Sequence, residues 1–90
     1  MNGPLIKSFG ITVRRLREGR GWSQEELAEH ADLNRSYVGE IERGRVIVSL
    51  ITIRKLADAL GLSMGALMQQ SEQACRLQTA QAINLMAIAC

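Results

Sequence analysis

The stretch that most restricts this chain is "SQEELAEHADLNRSYVGEIERG", residues 23–44. Ser23 followed three residues later by Glu26 is a capping box, the reciprocal pair that opens a helix. Leu27, Ala28 and Ala31 then share one face of that helix. Asn34 suits the cap of a further helix, and Gly44 its stop. Only "ADLN", residues 31–34, joins the two. Helices this short are not stable alone. Across so tight a turn they must meet at a steep angle and be held by a common core. Asp32 occupies the turn position that wants a left-handed backbone, which Asp tolerates better than most residues and Gly better still.

Three more helices complete an all-α, five-helix reading. Ile6, Phe9, Val13 and Leu16 recur at three- and four-residue spacing over about residues 4–18, with Pro4 at a first helical position and "GRG" as the stop. Ser49 caps a fourth helix, with Leu50, Ile53, Leu56, Ala57 and Leu60 along one side and Gly61 at its end. Ser63 opens a fifth, with Leu67 and Met68 facing inward. Trp22 is expected to pack on the second helix. No strand pattern of any length occurs; "VIV", residues 46–48, lies in a linker. After about Gln70 the apolar spacing is poor until "INLMAIAC". Residues 1–70 therefore read as one domain and residues 71–90 as a C-terminal extension, helical or disordered.

With 47% hydrophobic but only 3% aromatic residues, the core must be built mainly from Leu, Ile, Val, Ala and Met. A net charge of +2 barely favours an acidic partner, so the position of the charges has to carry any argument about partners. The opening "MNGPLIKSFG" lacks a basic stretch followed by an apolar run, and no segment reaches the length of a membrane span. The expectation is a cytoplasmic protein with reduced thiols and no membrane contact. Cys75 and Cys90 match neither a zinc spacing nor a disulfide framework; they read as inert thiols or as a redox switch. His30 is the only histidine, and there is no phosphate-binding loop or paired-carboxylate site. No enzyme, metal or cofactor is implied.

The third helix carries the functional signal. Val38 and Ile41 would anchor it on the first, second and fourth helices, leaving its other face open. One α-helix fits the major groove of DNA. Arg35 there can pair with guanine edges, and Ser36 can donate or accept. Glu40 can accept from cytosine, or form a salt bridge with Arg43 or Arg45. The start of the second helix, with Ser23, Gln24 and free backbone N–H groups, suits a phosphate.

Taken together, "RLR" before a Gly-rich stop, "SQEELA", "YVGEIERG" and "SLITIRKLADALGLS" resemble the phage-repressor and Cro type of DNA-binding domain, the xenobiotic-response-element family, over about residues 9–68. The wording of "DLNRSYVGEIERGRVIVSLITI" is most similar to controller proteins of restriction–modification systems. The resemblance implies base reading by Arg35, Ser36 and Glu40, and phosphate contacts by Gln24, Tyr37, Arg43 and Arg45. It also implies a structural ion pair between Arg17 and Glu42, and a homodimer on near-palindromic double-stranded DNA with the fifth helix at the interface. Two departures stand out. Asp32 replaces the usual Gly, and "RVIVSL" replaces a loop with Asn and Pro, so no contact is carried over beyond Arg45. The alternative is an antitoxin or protein-interaction module on the same scaffold. Its apolar end would bury itself against the domain or a second subunit, bind a further protein, or fray.

Overall fold

The computed structural model describes residues 3–83, and side chains as far as residue 76. Five helices follow in order: α1 Gly3–Gly19, α2 Gln24–Ala31, α3 Arg35–Glu42, α4 Leu50–Leu60 and α5 Met64–Ile83. No strand occurs among the described residues. Capping chemistry sets the helix starts. Ser23 Oγ accepts from the Glu26 N–H at 3.1 Å while Glu26 Oε1 accepts from the Ser23 N–H at 2.8 Å. Asn34 Oδ1 accepts from the Ser36 N–H, Ser49 Oγ from Thr52 and Ser63 Oγ from Ala66. Asp32 ends α2 in the left-handed region at φ 55°, and Leu33 N–H closes the turn onto the Ala28 carbonyl at 2.8 Å.

The core draws on every helix: Phe9 and Val13, Leu27, Ala28 and Ala31, Val38 and Ile41, Leu56, Ala57 and Leu60, and Leu67. α1 lies at the centre and packs on α3, α4 and α5. α2 packs on α3 and α4. The contact of α3 with α4 runs through side chains, Tyr37 Oη lying 3.4 Å from Thr52 Oγ1. Leu50 departs from the expected inner face and is 73% exposed. It sits on the first turn of α4, before the helix reaches the shared core. Trp22 is half-buried, stacked on His30 with ring centroids 4.2 Å apart, and Arg20 covers it at 5.1 Å.

α5 continues without a break past residue 70, where apolar spacing fades. Its seam with α1 is made of small side chains. Leu67, Ser71 and Cys75 form a buried stripe on α5, and Ser8 and Thr12 are fully buried on α1. Small polar residues let two helices approach closely, and a hydrophobic period does not register them. Ser71 Oγ donates to the Leu67 carbonyl at 2.9 Å, which satisfies its hydroxyl within the helix. Cys75 is fully buried. Cys90, with most of the apolar end, lies outside the described residues.

α1 also approaches α3 very closely. A Cβ placed on Gly10 would stand 2.2 Å from the Ile41 carbonyl oxygen and 2.8 Å from that of Glu42. Only the absence of a side chain at residue 10 lets α1 cross the end of α3 at this distance.

Candidate nucleic-acid interface

Burial divides α3 into two faces. Val38 and Ile41 are fully enclosed, whereas Arg35, Ser36 and Arg43 are exposed and Glu40 is half-exposed. Among the described residues Arg35 has no hydrogen-bond or ion-pair partner, and the Ser36 hydroxyl is likewise uncommitted. Gln24 from α2 joins Arg35, Ser36, Gly39, Glu40 and Arg43 around an open polar hollow. The tight turn is what brings the start of α2 beside the open face of α3.

A buried charge cluster holds that face in place. Arg17 Nε donates to Glu42 Oε2 at 2.7 Å, and Arg17 Nη2 donates to Glu42 Oε1 at 3.0 Å. Arg17 Nη1 donates to the Trp22 carbonyl at 2.7 Å. Gln24 Nε2 donates to Glu42 Oε1 at 3.1 Å. One carboxylate thus ties α1, α2 and α3 together through charge-assisted, bidentate bonds. Its hydrogen bonds raise the pKa of Arg17 above the ordinary value, against the opposing effect of burial.

The remaining candidate residues have distinct surroundings. Arg43 Nη2 donates to Glu40 Oε2 at 2.7 Å, with Arg45 Nη1 at 4.0 Å from the same oxygen. The Arg43 bond holds the Glu40 carboxyl below the usual carboxylate range. In the free protein Glu40 is therefore charged and paired. Arg45 is exposed just past the end of α3. Tyr37 is half-buried, its hydroxyl turned to Thr52 rather than outward alone. Ser23 is exposed at the start of α2, its oxygen engaged in the cap and its proton free to donate.

A family described as a helix-turn-helix domain matches residues 8–70, which takes in α2, α3 and α4 whole, most of α1 and the start of α5. The chain belongs to that helix-turn-helix family. A hypothetical transcription factor from Neisseria meningitidis is 40% identical over 71 residues, covering 79% of this chain and 67% of that protein. Among solved structures, the clp gene regulator ClgR from Corynebacterium glutamicum matches with a TM-score of 0.82 at 32% identity, covering 88% of this chain and 84% of that one. The restriction–modification controller protein C.AhdI from Aeromonas hydrophila matches with a TM-score of 0.67 at 48% identity, covering 69% of this chain and 94% of its own.

In this helix-turn-helix, sequence reasoning passed over three residues. Gly39 is buried under the hollow, where a Cβ would lie 3.3 Å from Arg43 Nη2. Thr52 links the Ser49 cap to Tyr37, with Ser49 Oγ donating to its hydroxyl oxygen at 3.1 Å. Gly10 makes the α1–α3 crossing possible. A glycine inside a helical apolar pattern lowers helix propensity and so signals a packing or functional reason, which at Gly10 is close backbone approach and at Gly39 is room for the Arg43 and Gln24 side chains.

Proposed function

We propose that this helix-turn-helix protein is a sequence-specific transcriptional regulator that binds double-stranded DNA as a two-fold dimer. The observation that carries this reading is the open face of α3, where an unpartnered Arg35 and Ser36 stand on a rigidly braced helix. Arg35 and Ser36 read base edges. Glu40 reads a cytosine once Arg43 has turned to a phosphate. Ser23, Gln24, Tyr37, Arg43 and Arg45 meet the backbone, and the Arg17–Glu42 pair holds the frame. The likeness to C.AhdI supports a role as a restriction–modification controller. Half-site centres would lie about one helical turn, ~34 Å, apart.

The test is selection from a random duplex library at moderate salt, followed by sequencing of what is retained. An enriched two-fold motif is expected, with Arg35→Ala losing ~1–3 kcal/mol and relaxing preference at one base pair. With about eight phosphates neutralised by the dimer, the log–log salt slope should be about −7. Uniform retention without a motif would refute base reading. A methyltransferase gene beside the coding sequence would support the controller role, and its absence there would count against it.

A further inference from the structure

The Arg43 side chain is folded back along α3. A Cβ added to Gly39 would lie 3.3 Å from Arg43 Nη2, 3.6 Å from its Nη1 and 3.6 Å from Gln24 Oε1. The guanidinium therefore lies across Gly39, over the floor of the polar hollow between α2 and α3. Glu40 holds it there, its Oε2 accepting from Arg43 Nη2 at 2.7 Å. Arg45 Nη1 stands 4.0 Å from that oxygen, beyond hydrogen-bond reach. Its side chain is also the more open of the two to solvent. Of the two cations at the end of α3, one is committed to a carboxylate and the other only loosely so.

A DNA phosphate and the Glu40 carboxylate compete for the same guanidinium, since both accept a pair of its N–H groups. For Arg43 to reach a phosphate, its bond to Glu40 has to break. An exposed pair of this kind is weak enough to be exchanged. The exchange leaves a bare carboxylate in a groove flanked by phosphates, where it is both desolvated and repelled. A base that donates into the major groove removes that penalty, as cytosine N4 does. From this we infer that Glu40 and Arg43 form a coupled specificity switch. On non-cognate DNA Arg43 stays on Glu40; at the operator a cytosine takes the Glu40 carboxylate and frees Arg43 for a phosphate. The inference rests on the DNA reading above and gives Glu40 a second role. Glu40 selects by withholding a phosphate contact from wrong sequences as well as by accepting from the right one, and an unpaired charge at the wrong partner is a general source of selectivity. Gly39 leaves the room that the folded-back guanidinium occupies.

The experiment measures binding of the full chain to its selected duplex and to a random duplex, by fluorescence anisotropy over a range of salt. Each neutralised phosphate contributes about 0.9 to the log–log slope. With one Arg43 withheld per subunit, the random-duplex slope of the parent should be about −5 where the operator slope is about −7. Glu40→Gln keeps the shape and removes the charge. It should steepen the random-duplex slope by about 1.8 and raise random-duplex affinity roughly tenfold or more at ~0.1 M salt. Arg43→Gln should flatten the operator slope by about 1.8 and leave the random-duplex slope as it was. Glu29→Gln removes the same charge from an exposed position on α2 and should change neither slope. Glu40 and Arg43 both keep contact with solvent, so circular dichroism should show parent-like folds. An unchanged random-duplex slope in Glu40→Gln, or an equal steepening in Glu29→Gln, would overturn the switch. A parent that selects a two-fold motif while Arg43→Gln flattens both slopes alike refutes the switch alone. A parent that selects no motif refutes the DNA reading, and the switch with it.

Discussion

Gly10→Ala should be strongly destabilising although it adds one methyl group to a helix. In a helix interior Gly→Ala ordinarily contributes about 1 kcal/mol of stability. Here the new Cβ would stand 2.2 Å from the Ile41 carbonyl oxygen and 2.8 Å from that of Glu42. Both obstacles are backbone and cannot rotate away. An ordinary carbon–oxygen contact is about 3.3 Å, so α1 must retreat from α3 by roughly 1 Å. Overpacking of this kind costs about 1–3 kcal/mol. The same shift stretches the Arg17–Glu42 hydrogen bonds, now 2.7 and 3.0 Å, toward the limit of useful geometry. Weakening a buried ion pair that stays desolvated adds further loss. Set against the propensity gain, the net effect should be about 2 kcal/mol or more. For a domain of this size that lowers the melting temperature by about 8–16 °C. The assay is thermal and urea unfolding followed by circular dichroism. Gly65→Ala is the control, because its nearest obstacle is Ser63 Oγ at 3.9 Å. That variant should equal or exceed the parent. If Gly10→Ala melts at or above the parent, the close crossing of α1 over α3 is wrong.

Glu42→Gln should cost about 3 kcal/mol, because it leaves the buried Arg17 with only the half-exposed Glu18 carboxylate, 4.0 Å away, as counter-charge; an unchanged urea midpoint would refute the structural role of the Glu42 carboxylate. Asp32→Gly should raise stability by up to about 1 kcal/mol by relieving a left-handed non-glycine residue. The Lys55 contact it removes is exposed and spans 3.7 Å, so little is lost with it; a lower melting temperature would count against this. The Glu40 carboxyl, depressed by Arg43, should titrate below the usual glutamate value of about 4.3 in a carbon-detected NMR titration and move back toward it in Arg43→Ala. Because the folded value is the lower one, the stability it contributes is present above that ordinary value and is lost as pH falls through the depressed one. Equal midpoints in parent and Arg43→Ala would dispose of the pairing.

Much of the architecture was legible because its signals are local. The Ser23–Glu26 box, the Asn34 and Ser49 caps and the apolar periods of α1, α2 and α4 all lie within a turn or two of the residues they govern. The extent of α5 was less legible. Ser8, Thr12, Ser71 and Cys75 build its seam with α1, and small side chains leave no apolar period to read. Leu50 misled in the opposite sense, since it keeps the period yet lies beyond the reach of the core.

The candidate site divides in the same way. That α3 begins with Arg35 and Ser36, is capped by Asn34 and carries Val38 and Ile41 three apart follows from a few neighbouring residues, and so does the presence of an open polar face. The chain folded in three dimensions decided which groups serve that face. Gln24 reaches Glu42 across eighteen positions, Arg17 reaches it across twenty-five, and Gly10 lets the helices close on one another. It also decided that Glu40 is held by Arg43 and that Tyr37 turns to Thr52. Caps and periods are energies of adjacent residues, whereas partners and close approaches depend on where distant helices cross.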